Sequence, residues 1–370
     1  MLKINPGHPK VWLSQDHIQI GLDADAVTVG GLSPAHQRLL RSLEKGISEN
    51  QLPAITRALK LDEDSAAQLI DRLRPVLLAS DPQPGAAAPA GRRFPFAQPN
   101  PDFAEIIRFG LRHNQPGEQG IHLRSERIVH IDNLARTGIT TVRGLASAGV
   151  TQFWCSDQKV VEAEDTTPLG FPKELLGWSR FMAADSVAGS FQNPVALVDA
   201  TQLRTRVLDR VDIAILISGQ VTDPRLARLW WRRGVPHLAV SFDASGVRVS
   251  PVVVPGKTPC LVCRDNELAS TDTTHLVKFN QLITNRTPYD DASSVLFAAA
   301  AATSGALAQL DSQSGFVMAE HERAGVWFER KSGLVHRITW PSSAVCRCYS
   351  AEVEADGSDA QSAQGVSPAA

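Results

Sequence analysis

The stretch Arg127–Gly138, RIVHIDNLARTG, decides the fold class. Its first half, RIVHID (Arg127–Asp132), is an apolar strand-forming run, and a helical pattern follows from about Gly138 to Ala148. Strand, tight turn and helix in that order form the βα unit in which a nucleotide fold carries G-x-G-x-x-G. The three positions here are Asn133, Ala135 and Gly138, so only the third is glycine. The two missing glycines normally permit a tight turn and close approach of backbone to phosphate, and Ala135 adds a methyl group where that phosphate should sit. The turn by itself reads as an ordinary strand–helix connection with no ligand.

Working outward, the same pattern repeats. A helix (Phe103–Arg112) precedes the unit, and strands follow at QFWCSD (Gln152–Asp157), PVALVD (Pro194–Asp199), DIAILIS (Asp212–Ser218) and HLAVSF (His237–Phe242). DPRLARLWWRRG (Asp223–Gly234) is a helix between the last two, with Trp230 packed on the sheet. The runs Val195–Val198 and Ile213–Ile217 are apolar without alternation, as strands covered on both faces are. Alternating strands and helices predict an α/β fold with a doubly wound, mostly parallel, Rossmann-like sheet. VLFAAAAATSGALAQL (Val295–Leu310) is shorter than the ~20 residues of a membrane span and reads as a buried helix.

Residues 1–80 form a separate small α+β module. Short β-type runs at Val11–Leu13, His17–Leu22 and Ala26–Leu32 are followed by three helical stretches. The first opens at Ser33 or Pro34, shares a face of Leu39, Leu40 and Leu43, and closes at Gly46; the second spans Ser48–Leu59; the third spans Asp62–Leu78, with Pro75 able to end it early. The order β-β-β-α-α-α is read as winged-helix-type. Residues 81–101 are a Pro/Ala/Gly-rich linker, 102–350 the α/β domain, and 351–370 a Ser/Ala/Gly/Asp-rich tail of disordered composition.

The chain has 370 residues, 43% hydrophobic and 21% charged, which excludes fibrous, collagenous and wholly disordered classes. Thirty-seven Lys and Arg against 39 Asp and Glu give a net charge of −2, which argues against a dedicated nucleic-acid binder while permitting a local basic patch. The N-terminus has no apolar core of signal-peptide length, so a cytoplasmic, membrane-free protein is expected.

Five cysteines are too few for a disulfide scaffold, and their spacing is the most specific signal. Cys260-x-x-Cys263 and Cys346-x-Cys348 together supply four thiolates for one tetrahedral zinc ion, with no open position, hence a structural site. A redox C-x-x-C is disfavoured because this one follows a proline-rich loop instead of opening a helix. His275, His321 and His336 are weaker ligand candidates. Cys155 lies inside a strand and reads as a core thiol, and His130 and Asp132 read as end-of-strand polar residues.

The strand before Gly138, the step to Gly149-Val150, then Asp157, Val161 and Asp165, and finally C-x-x-C and C-x-C resemble the ThiF-like superfamily of adenylating enzymes. The chain is similar in detail to the leader-peptide-binding or cyclodehydratase-partner proteins of azole-peptide biosynthesis, which join such a domain to a winged-helix-type peptide-recognition element. The resemblance implies an ATP and Mg²⁺ pocket at Gly138, Asp157, Lys159, Asp165 and Arg180, and each part can be checked. The family's D-x-D falls on Asp157-Gln158-Lys159, so an ammonium, which cannot ligate Mg²⁺, replaces the second carboxylate. Its phosphate-binding arginine falls on Pro168, its later lysine on Arg180, and its aspartate after DIAILIS near Gly219. These losses predict a vestigial nucleotide pocket, no catalytic residues, and no use of ATP.

The expected function is a zinc-stabilised, non-catalytic scaffold that binds a precursor peptide, a partner modification enzyme, or both, and that dimerises as the family often does. The peptide would add to the edge of the Ala26–Leu32 strand, at Val27 and Val29, against a hydrophobic wall from Leu69 and Leu73. The alternatives are an ATP-dependent adenylyltransferase activating a carboxyl group, and a winged-helix-containing regulator.

Overall fold

A computed structural model describes residues 1–22, 26–79, 102–191, 193–283, 289–317, 324–343, 346 and 348. The expected linker at 81–101 and tail at 351–370 lie outside the described residues, as does His321.

The N-terminal module is an antiparallel sheet of β1 (Lys10–Trp12), β2 (Ile18–Ile20) and β3 (Val27–Val29), in that order, followed by α1 (Pro34–Lys45), α2 (Leu52–Ala58) and α3 (Glu63–Leu73). Ser33 caps α1 with Pro34 in the first turn, and Gly46 ends it at φ +87°, a conformation that favours glycine. The third helix was expected to reach Leu78. It stops at Leu73, and Arg74–Val76 continues as a 3₁₀ turn, because Pro75 has no N–H to carry the α-helical ladder. Ile18, Ile20, Val29, Leu39, Leu43, Leu69 and Leu73 meet in one core.

The larger part runs α4 (Phe103–His113), α5 (Gly117–Ser125), β4 (Ile128–Ile131), α6 (Arg136–Ser147), β5 (Gln152–Cys155), α7 (Arg180–Ala188), β6 (Ala196–Asp199), β7 (Ile213–Ser218), α8 (Pro224–Arg232), β8 (His237–Asp243) and β9 (Gly246–Val249). It continues with α9 (Leu261–Thr271), α10 (His275–Leu282), α11 (Ala292–Gln313), β10 (Gly325–Glu329) and β11 (Val335–Ile338). Its eight-stranded sheet has the order β11-β10-β9-β8-β7-β4-β5-β6. From β8 to β6 every pairing is parallel; β9, β10 and β11 add an antiparallel extension. The parallel part starts in the middle at β4, runs outward through β5 and β6, then returns to the other side of β4 with β7 and β8. That is the strand order of a dinucleotide fold, and its direction reverses between β4 and β7.

The helix expected at Val295–Leu310 is longer, Ala292–Gln313, so by length and composition it could cross a membrane. Its Ala298, Ala302, Ala306 and Leu310 are buried in the main core against α6 and the sheet. Asn5 Nδ2 donates to the Gly110 carbonyl at 2.9 Å, and the Ala79 N–H to the Asn114 carbonyl at 2.8 Å, joining the module to α4.

Candidate functional site

Ligands of open α/β sheets bind outside the carboxyl ends of the strands where the winding reverses. A cavity of about 600 Å³ lies at that place. Asn133, Ala135, Arg136 and Thr137 line it from the β4–α6 turn, and Ile217, Ser218 and Gly219 from the end of β7. Lys159, Glu162, Glu164, Asp165, Arg180, Phe242, Tyr289 and Asp290 complete the wall.

Of the residues that the resemblance singles out, Lys159, Asp165 and Arg180 line this cavity, and Asp157 lies behind them against Arg180. Asp157, Asp165 and Arg180 are all buried. Arg180 opens α7 and donates through Nε to Asp165 Oδ2 at 2.9 Å; its Nη2 lies 2.7 Å from the same oxygen, and its Nη1 lies 3.4 Å from Asp157 Oδ2. Asp157 also accepts the Leu134 N–H at 2.8 Å and the Lys159 N–H at 2.9 Å. The Ala135 N–H donates to Asn133 Oδ1 at 2.9 Å. Two backbone donors of the β4–α6 turn are therefore already satisfied by side chains.

Gly138 does not line the cavity. A Cβ there would sit 1.9 Å from the Asn133 carbonyl oxygen, so this glycine lets α6 close onto its own turn. Lys159 lines the wall, exposed, and its ammonium has no hydrogen bond or ion pair among the described residues. Arg136, which the sequence reading did not single out, pairs with Asp290 at 2.8 Å. The lining thus holds three cations and four carboxylates, and two of the cations already have partners. Thr137 Oγ1, at the N-terminus of α6, is buried without a partner among the described residues.

Asp132 follows β4 directly and accepts the Ile217 N–H at 2.8 Å, tying the end of β4 to β7 at the reversal point. The residue is half-buried, but its carboxyl is enclosed; burial, with Asp157 close by, pushes it up to about 7. His130 is a core residue, not an end-of-strand one. Its ring lies 4.5 Å from that of Trp230, and burial pushes it down to about 3. The Cys155 thiol is buried and raised by that burial, as a core thiol is.

The four remaining cysteines form a second site. Cys260 and Cys263 sulfurs are 4.0 Å apart, Cys260 and Cys346 3.6 Å, and Cys263 and Cys348 3.2 Å. All four ligand atoms lie within 4.8 Å of one another. A regular tetrahedron with Zn–S of about 2.3 Å has edges of about 3.8 Å, so the set fits a metal ion, zinc among them. One expectation is corrected. Cys260 is the N-cap of α9 and Cys263 lies in its first turn, so the C-x-x-C does open a helix. What opposes a simple redox pair is the arrival of Cys346 and Cys348 beside it. His275 Nε2 lies 3.8 Å from Asp265 and the His336 ring stacks on Trp327 at 4.8 Å; neither belongs to the thiol cluster.

The peptide-site candidates fall differently. β3 is an edge strand, as β-augmentation needs. Val29, Leu69 and Leu73, however, are core residues with 2%, 4% and 0% exposure, and Val27 packs against them. The apolar wall expected from Leu69 and Leu73 is already covered, because the same helical periodicity marks a buried face whichever neighbour buries it.

No protein-family model matches the chain, and no curated protein matches it. Solved structures do. E. coli MccB with ATP matches at TM-score 0.63 and 13% identity over 94% of this chain and 99% of that one. The microcin C7 biosynthetic enzyme MccB in complex with N-formylated MccA matches at 0.63 and 13%, over 94% and 98%. PaaA matches at 0.57 and 13%, over 78% of this chain and 96% of that one. The fold is shared with MccB and PaaA. The likeness extends over the N-terminal module as well as the α/β domain, and at such identity it speaks for architecture alone.

Proposed function

We propose that this chain is a non-adenylating ThiF-like scaffold that binds an extended precursor peptide through its N-terminal, winged-helix-type module and presents it to a partner modification enzyme. Zinc on Cys260, Cys263, Cys346 and Cys348 would act structurally, clamping the C-terminal segment to α9 without taking part in chemistry. The thiols require a reducing compartment, hence the cytoplasm. A homodimer is part of the reading, from the resemblance.

The observation that carries it is the closure of Asp157 and Asp165 on Arg180. A carboxylate that would hold Mg²⁺ faces a guanidinium instead, and Lys159 stands where a second carboxylate is needed. The turn donors that would meet phosphate are capped by Asn133 and Asp157. An acid-rich wall repels a triphosphate that lacks its metal. These residues do not fit Mg·ATP, and no adenylation step is assigned to them. Peptide recognition is supported by the free β3 edge and by a fold shared with MccB, which has been solved with MccA. The deciding experiment is ATP–pyrophosphate exchange by the full-length protein with candidate peptides. No exchange above blank is expected, alongside measurable peptide binding; sustained exchange overturns the reading.

A second reading, an ATP-dependent adenylyltransferase, has specific support. The N-terminus of α6, with the unpartnered Thr137 hydroxyl, still faces a cavity large enough for a nucleotide. MccB, of the same fold, has been solved with ATP. The same exchange assay separates the two.

A further inference from the structure

Between Lys173 and Lys257 the sequence holds nine arginines and no lysine. Six of them share one surface. Arg204, Arg206 and Arg210 lie in or just before the 3₁₀ turn Thr205–Arg210, Arg225, Arg228 and Arg232 lie on α8, and all six are exposed. The turn and the helix pack side by side: Val207, Leu208, Leu226 and Trp230 belong to one apolar cluster, and Arg233 donates to the Thr205 carbonyl and to Asp209, each at 2.6 Å. None of the six exposed guanidiniums has a hydrogen bond or ion pair among the described residues. The nearby carboxylates are engaged: Asp209 with Arg233, Asp212 with Arg127, and Asp223 with the cap of α8. A guanidinium is a rigid fork of donors that pairs with a carboxylate through two bonds, which the ammonium of lysine cannot do.

Beside α8 is a second cavity, about 300 Å³, with an apolar wall from Ala227, Trp231, Leu261 and Val262. Two polar atoms of opposite kind belong to it. Trp231 Nε1 is a buried donor with no acceptor among the described residues. His237 lines the same cavity and is 1% exposed. Its Nδ1 lies 3.1 Å from the Val235 carbonyl and so carries the proton, which leaves Nε2 an acceptor with no partner among the described residues. A peptide unit offers a C=O to the first and an N–H to the second; a sugar–phosphate backbone has no N–H to offer. Arg228 and Arg232 share the wall with Cys260, Cys346 and Cys348, where they balance the two negative charges of a zinc tetrathiolate. Arg204, Arg206, Arg210 and Arg225 remain without counter-charge.

From Arg225 to Arg232 the helix rises about 10 Å, and the neighbouring turn widens the surface further, so one small anion cannot meet these charges. A chain with a carboxylate at nearly every residue can. We propose that α8 and the 205–210 turn form a docking surface for an extended acidic segment of a partner protein, one apolar side chain of which enters the second cavity. The carboxylates of the segment pair with the four uncompensated arginines, and its main chain beside the apolar residue meets Trp231 and His237. This surface shares no lining residue with the cavity at β4 and β7, and the proposal does not rest on the reading of the N-terminal module.

The test is fluorescence anisotropy with the full chain at about 0.05 M salt. The probe is a fluorescein-labelled peptide of Glu and Asp with one central Leu, about ten residues long, enough at about 3.4 Å per residue to cross both segments. R206E/R210E/R225E should bind it at least about tenfold more weakly than the wild type, with an unchanged melting temperature. R41E/R57E/K331E makes the same change of charge at exposed residues elsewhere and should bind it within about twofold of the wild type. Replacing the central Leu of the probe by Ser leaves the protein untouched and should weaken binding about tenfold. The proposal is overturned if the wild type does not bind the probe, if R206E/R210E/R225E binds it undiminished, if both variants lose affinity equally, or if the Leu and Ser probes bind alike. A single-stranded oligonucleotide that binds the wild type more tightly than the probe does, and R206E/R210E/R225E weakly, assigns the surface to nucleic acid and also overturns it.

Discussion

Arg180 and Asp165 are joined inside the protein by two contacts, Nε at 2.9 Å and Nη2 at 2.7 Å from one carboxylate oxygen. The arginine also reaches Asp157, so a single guanidinium holds two buried carboxylates, one of them in the cavity wall. Removing one partner of a buried pair leaves the other uncompensated, which costs about 3–5 kcal/mol. Arg180→Ala should therefore lower unfolding free energy by about that amount in urea titration. If the variant is as stable as the wild type, Arg180 is not the counter-ion described here.

The thiol cluster leads to a stoichiometry. Metal analysis of protein purified without chelator should give close to one zinc per chain, and Cys348→Ser should lower it towards zero. Structural zinc contributes about 10–16 kcal/mol of apparent binding free energy in small domains, so chelation should lower the melting temperature sharply. Freely alkylated thiols with no bound metal would contradict the site.

Gly138 gives a steric test. Because a Cβ would meet the Asn133 carbonyl oxygen at 1.9 Å, Gly138→Ala has to push α6 away from its turn. Overpacking of this kind costs about 1–3 kcal/mol or more, readable by chemical denaturation. Ala135→Gly removes a methyl at the cavity wall and should not restore ATP binding, since Asn133 and Asp157 still cap the turn donors.

The parts legible in sequence were those written in local pattern. Cys260-x-x-Cys263 and Cys346-x-Cys348 identified the thiol cluster by spacing alone, and the unbroken apolar run Ile213–Ile217 identified a strand buried on both faces. Strands β9, β10 and β11 were not anticipated, because GVRV, GVWFE and VHRI are short; the Ser332-Gly333 turn between the last two is the signal that was passed over. Helix α5 was hidden by Gly117 and Gly120; a Cβ at Gly120 would meet the Phe109 ring at 2.3 Å, so the residues that argue against a helix are the ones that let α5 cross α4. The ion pair of Arg180 with Asp165 could not be read at all. Fifteen residues apart, they give no periodic signal, and only the fold decides that the charges meet in a dry place.

The buried titratable groups set an acid dependence. His130 and His237 are pushed down by burial to about 3 and about 4. Their folded values lie below the unfolded 6.5, so the unfolded chain binds two more protons as pH falls from 6.5 towards 4, and stability is lost over that window. Asp132 acts oppositely. Raised to about 7 from 3.8, it already holds its proton in the folded state across that window, and it favours folding as pH falls. Among these three groups the net is one proton, a loss of about 1.4 kcal/mol per pH unit from them. Asp132→Asn should steepen the loss between pH 6.5 and 4, and His130→Phe should flatten it, measured by urea unfolding across pH.

Peptide capture at β3 has its own test, and register supplies it. The Leu13 N–H bonds the His17 carbonyl and the Gly21 N–H the Pro9 carbonyl, so residues 17, 19 and 21 of the β2 segment face β1, and Ile18 and Ile20 face β3. Thr28, opposite Gln19, then points its N–H and C=O away from the sheet, free to pair with an added strand. Thr28→Pro removes that outward donor without breaking a bond to β2, a placement edge strands tolerate. Peptide affinity of the full chain should fall at least about tenfold, the equivalent of about 1.4 kcal/mol, with little change in melting temperature. Leu73→Ala, in contrast, should cost about 2–5 kcal/mol of stability, because Leu73 belongs to the core. Undiminished affinity in Thr28→Pro would place the peptide elsewhere than the β3 edge.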